Sequence, residues 1–122
     1  MPVIKRINTV FIYALDMKKM RDFYSSVLEL GKPVVETDTW IEFDLPGCHL
    51  ALHKGDESIL EQNQSSQSNV KFSMEVEDIE KVCEELKSKN LKFTFGPKKD
   101  FGATLAEFLD PEGNPLRLIE FK

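Results

Sequence analysis

Two patterns of hydrophobic and polar positions follow each other in the first half of the chain. Residues 7–13 are β-branched and aromatic, which predicts a strand. Asp16 then stands where a helix N-cap belongs, and apolar residues follow it at helical spacing until Gly31, which we expect to end the helix. Three extended segments come next, at residues 33–37, 39–45 and 48–54. The first half is therefore predicted to be one strand, one helix and three further strands.

The same succession of patterns begins again after a polar stretch. Residues 55–69 carry almost nothing to bury, so we predict a solvated linker there. Residues 70–76 alternate apolar and polar side chains as a strand does, and Asp78 stands as the cap of a second amphipathic helix. Three more extended segments follow, at residues 91–95, 103–109 and 115–121. The order of elements, βαβββ, thus occurs twice.

This repetition indicates an internal duplication. An offset of 62 residues relates Asp16 to Asp78, although the identity between the halves is low. At 122 residues the chain has the length of one domain. We therefore predict an α+β fold over residues 1–122, with one βαβββ module at 4–54 and a second at 70–122.

Strand alternation divides the predicted side chains between two faces. One face, here called the helix face, must cover the helices and takes the apolar positions. It holds Val10, Ile12, Ile41, Phe43, Leu50, Leu52, Val70, Phe72, Met74, Val76, Ala106, Phe108, Leu116 and Leu118. The opposite side, here called the second face, holds Thr9, Phe11, Tyr13, Trp40, Glu42, His49, Ala51, His53, Lys71, Ser73, Glu75, Leu105, Glu107, Arg117, Ile119 and Phe121. Because aromatic rings are costly on an open surface, this mixture favours the lining of a ligand cavity.

Composition narrows the classes of function. The chain has 16 basic and 21 acidic residues and a net charge of −5, which argues against a strongly basic nucleic-acid binder. No apolar run is long enough for a membrane span or a signal peptide, so we expect a cytoplasmic protein without a membrane partner. Two cysteines do not make a disulfide framework. We expect Cys83 to be buried on the second helix and Cys48 to be partly exposed.

The sequence resembles the vicinal oxygen chelate superfamily, also called the glyoxalase/bleomycin-resistance/dioxygenase family. The resemblance spans about residues 4–121 and depends on motifs in both halves. These are Asp16, Phe23, Tyr24, Leu28 and Gly31 in the first half, and residues 76–79, 110–114 and 118–120 in the second. The resemblance implies that two βαβββ modules form a curved, eight-stranded open barrel around a cavity. It also implies a homodimer, as in many relatives of this length.

The same resemblance implies where a metal would bind. Members of the family place His, Glu or Gln ligands on the first and fourth strands of each module, where this sequence has Thr9, Ala51, Lys71 and Arg117. Threonine offers one neutral oxygen, alanine offers no ligand, and the two cations would repel a metal ion. We therefore expect no metal cofactor at these positions, so glyoxalase, dioxygenase and epimerase activities do not follow from the resemblance. The bleomycin-resistance type, which binds its drug and does no chemistry on it, is the metal-free branch.

Lys71 and Arg117 admit two interpretations. They contact an anionic group of a ligand, such as a carboxylate or a phosphate, or they pair with Glu42, Glu75 and Glu107 on the same face. For Glu107 we predict an ionised carboxylate that pairs with Arg117 and has a lowered pKa, rather than a general base.

Two further groups on the second face are candidates for function. His49 and His53, together with Glu42 and Glu107, form a candidate displaced site for zinc or a similar ion, although chance proximity explains the same pattern. Trp40, the only tryptophan, suits stacking on a planar ligand, and equally suits packing as a cavity wall or at a dimer interface.

Three functional hypotheses follow. The first is a metal-independent protein that sequesters a small organic molecule, with anionic molecules among the candidates. Its predicted ligand-binding residues are Thr9, Trp40, Glu42, His53, Lys71, Glu107 and Arg117. The second is a glyoxalase-type lyase or dioxygenase that uses the displaced metal ligands, and the third is a non-catalytic interaction domain whose cavity is filled by its own side chains. Metal content separates the second hypothesis from the others, and a ligand-sized cavity separates the first from the third.

Overall fold

Strands and helices occur in the predicted order, once in each half of the chain. The computed structural model describes residues 3–56, 58, 71–100 and 102–121. The chain divides between residues 59 and 60 into two compact units, and in the described residues each unit contains a four-stranded sheet with a helix packed against it. The predicted α+β class is therefore confirmed. Most of the predicted linker, 55–69, lies outside the described residues. The curved, open eight-stranded barrel around one cavity stays a prediction.

The first module forms its sheet in the order β1-β4-β3-β2. Strand β1 pairs in parallel with β4, whereas the β4–β3 and β3–β2 pairs are antiparallel. Its elements are β1 (Thr9–Ala14), α1 (Met17–Asp22), a π-helical turn (Phe23–Val27), β2 (Val35–Glu36), β3 (Trp40–Leu45) and β4 (Cys48–Lys54).

The first helix begins as predicted and ends earlier than predicted. The Asp16 carboxylate accepts a hydrogen bond from the Lys19 backbone N–H at 3.0 Å, so Asp16 is the N-cap. The helix then widens into the π-helical turn and ends at Val27 rather than continuing to Gly31. The Gly31 N–H still donates to the Ser25 carbonyl at 3.2 Å, so the segment before Gly31 satisfies carbonyls that the helix leaves free.

The second module repeats the topology, with the strand order β5-β8-β7-β6. Again the first and last strands of the module are parallel and the other pairs are antiparallel. Asp78 caps the helix through a 3.2 Å hydrogen bond from the Lys81 N–H, as predicted. The elements are β5 (Ser73–Glu75), α2 (Ile79–Ser88), β6 (Phe93–Asp100), β7 (Ala103–Leu109) and β8 (Pro115–Phe121).

Strands β2 and β6 differ most from the prediction. Strand β2 is only two residues long instead of the five predicted at 33–37, whereas β6 continues five residues beyond the predicted end at 95. Strand β6 pairs with β7 through two shifts of register, one on each side of Phe95. Such irregularities place extra residues in one strand, and they break the simple alternation on which the prediction depended.

The helix face contains the core of each module. Helix α1 contacts β4, and α2 contacts β6, β7 and β8. The predicted apolar positions on β3, β4, β7 and β8 are buried, and those on β1 and β5 are half-buried; Val70 lies outside the described residues. Cys83 is buried on α2, as predicted, and burial raises the pKa of its thiol. In the part of the chain that the structure describes, no helix is long and apolar enough to cross a membrane.

Candidate functional site

Register brings the predicted aromatic residues of the first module together on the second face. Tyr13 on β1 lies beside His53 on β4, and His53 lies beside Trp40 on β3. Phe11 occupies the neighbouring row, beside Ala51. Cross-strand neighbours on one face are close enough for their side chains to touch. We call the set of Phe11, Tyr13, Trp40 and His53 the aromatic face.

The four rings of the aromatic face contact one another. Ring centroids lie 5.2 Å apart for Tyr13 and His53, and 5.7 Å apart both for Trp40 and His53 and for Phe11 and Trp40. Phe11 also meets Tyr13 edge to face at 5.5 Å. These separations lie within the range in which aromatic pairs attract each other. The rings therefore form one continuous apolar surface on the sheet.

This surface is open, although rings of this size usually bury most of their area. Phe11 is 47% exposed and Tyr13 is 43% exposed, whereas Trp40 and His53 are half-buried. His53 Nδ1 lies 2.9 Å from the carbonyl oxygen of Lys54, which can only accept a hydrogen bond. The proton of a neutral His53 ring therefore sits on Nδ1, and Nε2 is left as an acceptor on the aromatic face.

Glu42 forms hydrogen bonds both to Trp40, at the edge of the aromatic face, and to His49. The Trp40 indole Nε1–H donates to Glu42 Oε1 at 2.8 Å, and the other Glu42 oxygen contacts His49 Nδ1. The second ring nitrogen of His49 lies 3.2 Å from the Asp44 carboxylate. Hydrogen bonds from His49 and Trp40 lower the pKa of Glu42, because they stabilise its carboxylate more than burial opposes it.

The second module presents a different group on its second face. Arg117 Nε donates to Glu107 Oε1 at 2.8 Å, and the Thr94 hydroxyl donates to Glu107 Oε2 at 2.7 Å. The Arg117 guanidinium and the Lys98 ammonium both lie over the Phe95 ring, at 5.4 and 4.6 Å from its centre. We call Thr94, Phe95, Lys98, Glu107 and Arg117 the arginine cluster.

The predicted pairing of Glu107 with Arg117 is confirmed. Burial alone raises the pKa of Glu107, whose side chain is only 12% exposed. Hydrogen bonds from Thr94 and Arg117, and attraction to Arg117 and Lys71, outweigh burial, so the pKa of Glu107 is lowered. Glu107 is thus an ionised counter-ion of Arg117, as predicted. Of the other two acids predicted to pair with Lys71 or Arg117, Glu42 pairs with His49, and Glu75 forms no ion pair among the described residues.

The residues at the four family metal positions do not suit a divalent metal. The Thr9 hydroxyl donates to the Asn8 side chain at 2.6 Å, and Ala51 is fully buried without a ligand atom. Lys71 is exposed, and Arg117 is already paired with Glu107. Two cations at these positions repel a metal ion and attract an anion.

Each residue of the predicted displaced metal site has partners within its own module. Glu42 and His49 are paired with each other, His53 belongs to the aromatic face, and Glu107 belongs to the arginine cluster. Throughout residues 3–56, 58, 71–100 and 102–121, no three His, Cys, Asp or Glu side chains are grouped so as to hold a metal ion.

Sequence reasoning missed Thr94, Phe95 and Lys98. They lie on β6, where two shifts of register decide which side chains meet Glu107 and Arg117. The sequence signal that was available is Gly96, since an isolated glycine within a strand pattern suggests a bulge. A Cβ at Gly96 would lie 2.4 Å from the Leu105 carbonyl oxygen, so the close approach of β6 to β7 requires glycine.

The repeated module, with parallel first and last strands in each sheet, defines a class of proteins built from paired βαβββ units. The family described as Glyoxalase/Bleomycin resistance protein/Dioxygenase superfamily matches residues 6–118 of this chain. The chain belongs to this superfamily, as the resemblance in its sequence predicted.

Similar proteins include both binding proteins and enzymes. The uncharacterized protein YetH of Bacillus subtilis (strain 168) is 25% identical over 122 residues, which cover 97% of this chain and 100% of YetH. TnmS3, an antibiotic binding protein from Streptomyces sp. CB03234, is 18% identical, with a TM-score of 0.77 over 100% of both chains. Lactoylglutathione lyase from Agrobacterium tumefaciens is 16% identical, with a TM-score of 0.75 over 98% of this chain and 100% of the lyase. At these identities the two solved structures show that the fold is shared.

Proposed function

We propose that this protein binds a small, planar organic molecule without a metal ion and sequesters it without chemical change. The observation that carries the proposal is the aromatic face, where Phe11 and Tyr13 leave almost half of their area exposed. Exposed apolar surface that is continuous and rimmed by polar groups is typical of a binding site. The rim here is the pair of Glu42 and His49.

The aromatic face is suited to stacking. Trp40 already donates its only N–H to Glu42, so a ligand meets the apolar part of its ring. Phe11 has no polar group, and the Tyr13 and His53 rings lie against it at 5.5 and 5.9 Å. A planar ligand placed on this surface gains apolar burial and ring contacts. His53 Nε2 adds one hydrogen-bond acceptor that orients a donor on the ligand.

Metal independence is proposed from the chemistry of the residues at the family metal positions. Thr9 and Ala51 of the first module offer one neutral oxygen, and Lys71 and Arg117 of the second module offer two positive charges, so neither pair suits a divalent cation. The antibiotic-binding description of TnmS3 supports a binding role for this fold, while the lyase with the same fold shows that fold alone does not decide function.

Binding can be followed at Trp40, because a single tryptophan gives a single indole N–H signal. We would titrate the protein with 2-naphthamide and with its saturated analogue, decahydro-2-naphthamide, while recording ¹H–¹⁵N spectra. The planar amide is expected to shift the Trp40 indole signal and saturate, and the saturated amide is expected to bind much more weakly. Equal affinity for the two amides, or no shift with either, would contradict the proposal.

A matched pair of variants locates the binding surface. Phe11→Leu removes a ring from the aromatic face and is expected to weaken 2-naphthamide binding about fivefold, since one aromatic contact contributes about 1 kcal/mol. Phe121→Leu removes an exposed ring, 60% accessible against 47% for Phe11, from β8 of the second module and should leave the affinity unchanged. An equal effect of both substitutions would place binding elsewhere.

We also propose that the protein is a homodimer whose interface does not include the aromatic face. If a second copy of the chain, rather than a ligand, covers the aromatic face, dilution should change the Trp40 signal in the absence of 2-naphthamide. Sedimentation of wild type and Phe11→Leu measures this directly. We expect the same association state for both proteins, because the aromatic face is proposed to take a small molecule.

A further inference from the structure

Arg117 is positioned by its neighbours and leaves one end of its guanidinium group available. Its Nε–H is used by Glu107, and its plane lies over Phe95. Among the described residues, no hydrogen bond or ion pair is formed by its two terminal Nη groups. The side chain is 34% exposed, so solvent reaches it. A guanidinium held in this way loses little freedom when it binds a second group, because its orientation is already fixed.

The surroundings of Arg117 add positive charge. The Lys98 ammonium lies over the same Phe95 ring, and no ion pair involving it is found among the described residues. Lys71 is exposed and close enough to Glu107 to contribute to the lowering of its pKa. Glu107 neutralises one positive charge of the three. Arg117, Lys98 and Lys71 therefore carry three positive charges against the one negative charge of Glu107.

We infer that the arginine cluster is a binding site for a carboxylate of a small organic acid. The two oxygens of the carboxylate accept hydrogen bonds from the two Nη groups of Arg117, in the bidentate geometry that guanidinium groups favour. Lys98 contributes a further positive charge from beside Phe95. The inference rests on the proposed function, because it names the chemical class of ligand that such a binding protein accepts on its second module.

The cluster favours an organic monocarboxylate over inorganic phosphate. The Phe95 ring lies directly beneath both Arg117 and Lys98, so an apolar body next to the bound charge finds an apolar partner. Inorganic phosphate has no apolar body, so it cannot gain this contact with the Phe95 ring.

The test uses benzoate and its neutral counterpart benzamide as probes. Each is titrated into ¹⁵N-labelled protein at constant ionic strength, and the backbone amide signals of residues 107 and 117 are followed. Benzoate is expected to produce saturable shifts at both residues, and benzamide is expected to bind at least about tenfold more weakly. Equal binding of the two probes, tighter binding of inorganic phosphate than of benzoate, or no shift with benzoate would overturn the inference.

Variants assign the interaction to the terminal Nη groups. Arg117→Lys keeps a positive charge to pair with Glu107 but cannot present two parallel donors, so benzoate affinity should fall about tenfold while the fold is retained. Lys98→Gln should weaken benzoate about threefold. Lys99→Gln is the matched control. Lys99 is exposed and follows Lys98 on β6, but its register partner is Thr104, whereas that of Lys98 is Leu105, so Lys99 points to the other face of the sheet. Unchanged affinity in Arg117→Lys, with its urea unfolding midpoint preserved, would overturn the assignment.

The benzoate titration and the 2-naphthamide titration can fail independently of each other. The 2-naphthamide titration reports on Trp40 in the first module, and it uses an uncharged probe. If benzoate fails at the arginine cluster while 2-naphthamide still shifts the Trp40 signal, the carboxylate site is wrong and the aromatic binding function stands. If 2-naphthamide fails and benzoate binds, the carboxylate site stands without the aromatic one.

Discussion

The second face of the first module presents four rings in mutual contact, whereas that of the second module presents Arg117 and Lys98 around one ring. The strand order that carries both faces is the same. Each face also holds one partly buried glutamate with a lowered pKa, Glu42 in one case and Glu107 in the other. The repeated fold therefore fixes where side chains are displayed, and the residues at those places decide what each module can bind.

The helix faces show the opposite behaviour, because there the two modules have kept equivalent residues. Phe43 on β3 pairs in register with Leu50, and Phe108 on β7 pairs in register with Leu116. Both phenylalanines are fully buried. Close packing constrains the core of each module in the same way, whereas an exposed face is free to change its chemistry.

The largest effect is expected from removing these matched core rings. Phe43→Ala and Phe108→Ala should each lower the free energy of unfolding by about 3–5 kcal/mol, through lost apolar burial and the cavity left behind. Urea unfolding followed by circular dichroism measures both. Similar losses would support equivalent cores, whereas a loss below about 1 kcal/mol at either position would contradict the equivalence.

Alanine substitutions at two glycines compare the crowded backbone of β6 with the uncrowded segment that precedes β2. Gly96→Ala should cost about 3 kcal/mol or more, because a Cβ would meet the Leu105 carbonyl oxygen at 2.4 Å and the backbone has a positive φ. Gly31→Ala, with a φ of +85° and no atom near the added Cβ, should cost only about 1 kcal/mol. The same urea unfolding series compares the two. Equal costs would mean that the close approach of β6 to β7 does not matter for stability.

Much of this architecture could be predicted from the sequence, because local signals determine it. Asp16 and Asp78 cap the helices as expected, and alternation along β3 and β4 correctly separates Phe43 and Leu50 from Trp40 and His53. The arginine cluster could be predicted only in part. Arg117 and Glu107 are register partners on a regular pair of strands, so alternation alone predicts that their side chains meet.

The remainder depends on irregular backbone that alternation does not describe. Phe95 meets Arg117 because β6 shifts its register on both sides of Phe95, and the extent of such a shift is set by contacts with β7. The π-helical turn at Phe23–Val27 likewise carries no distinct sequence pattern. Alternation predicts the face on which Glu42 lies, whereas the partner of Glu42 depends on side-chain rotamers, which alternation leaves open.

A smaller effect is expected from the pH dependence of the two glutamates. Because their pKa values are lowered on folding from an ordinary value of 4.5, each carboxylate stabilises the fold above about pH 4.5, and this contribution is lost as the pH falls through the lowered pKa. Glu42→Gln and Glu107→Gln should each cost about 1 kcal/mol at pH 7 and progressively less below pH 4.5. Urea unfolding across this pH range measures the difference.

Glu75→Gln provides the control for that series, since Glu75 is exposed and has no ion pair within the described part of the chain. Its unfolding free energy should follow that of wild type at every pH. If the cost of Glu42→Gln or Glu107→Gln increases as the pH falls, the stabilising role assigned to the ionised carboxylate is wrong.

Binding without a metal is the central claim, and a metal-exchange titration tests it most directly. The Trp40 indole signal is followed during a 2-naphthamide titration of protein treated with EDTA, and again after zinc, nickel, manganese or iron is added in stoichiometric amount. We predict the same affinity in every case, with near-zero bound metal by elemental analysis. Loss of binding in EDTA and its recovery with one of these metals would contradict the account and favour a metal-dependent member of the superfamily.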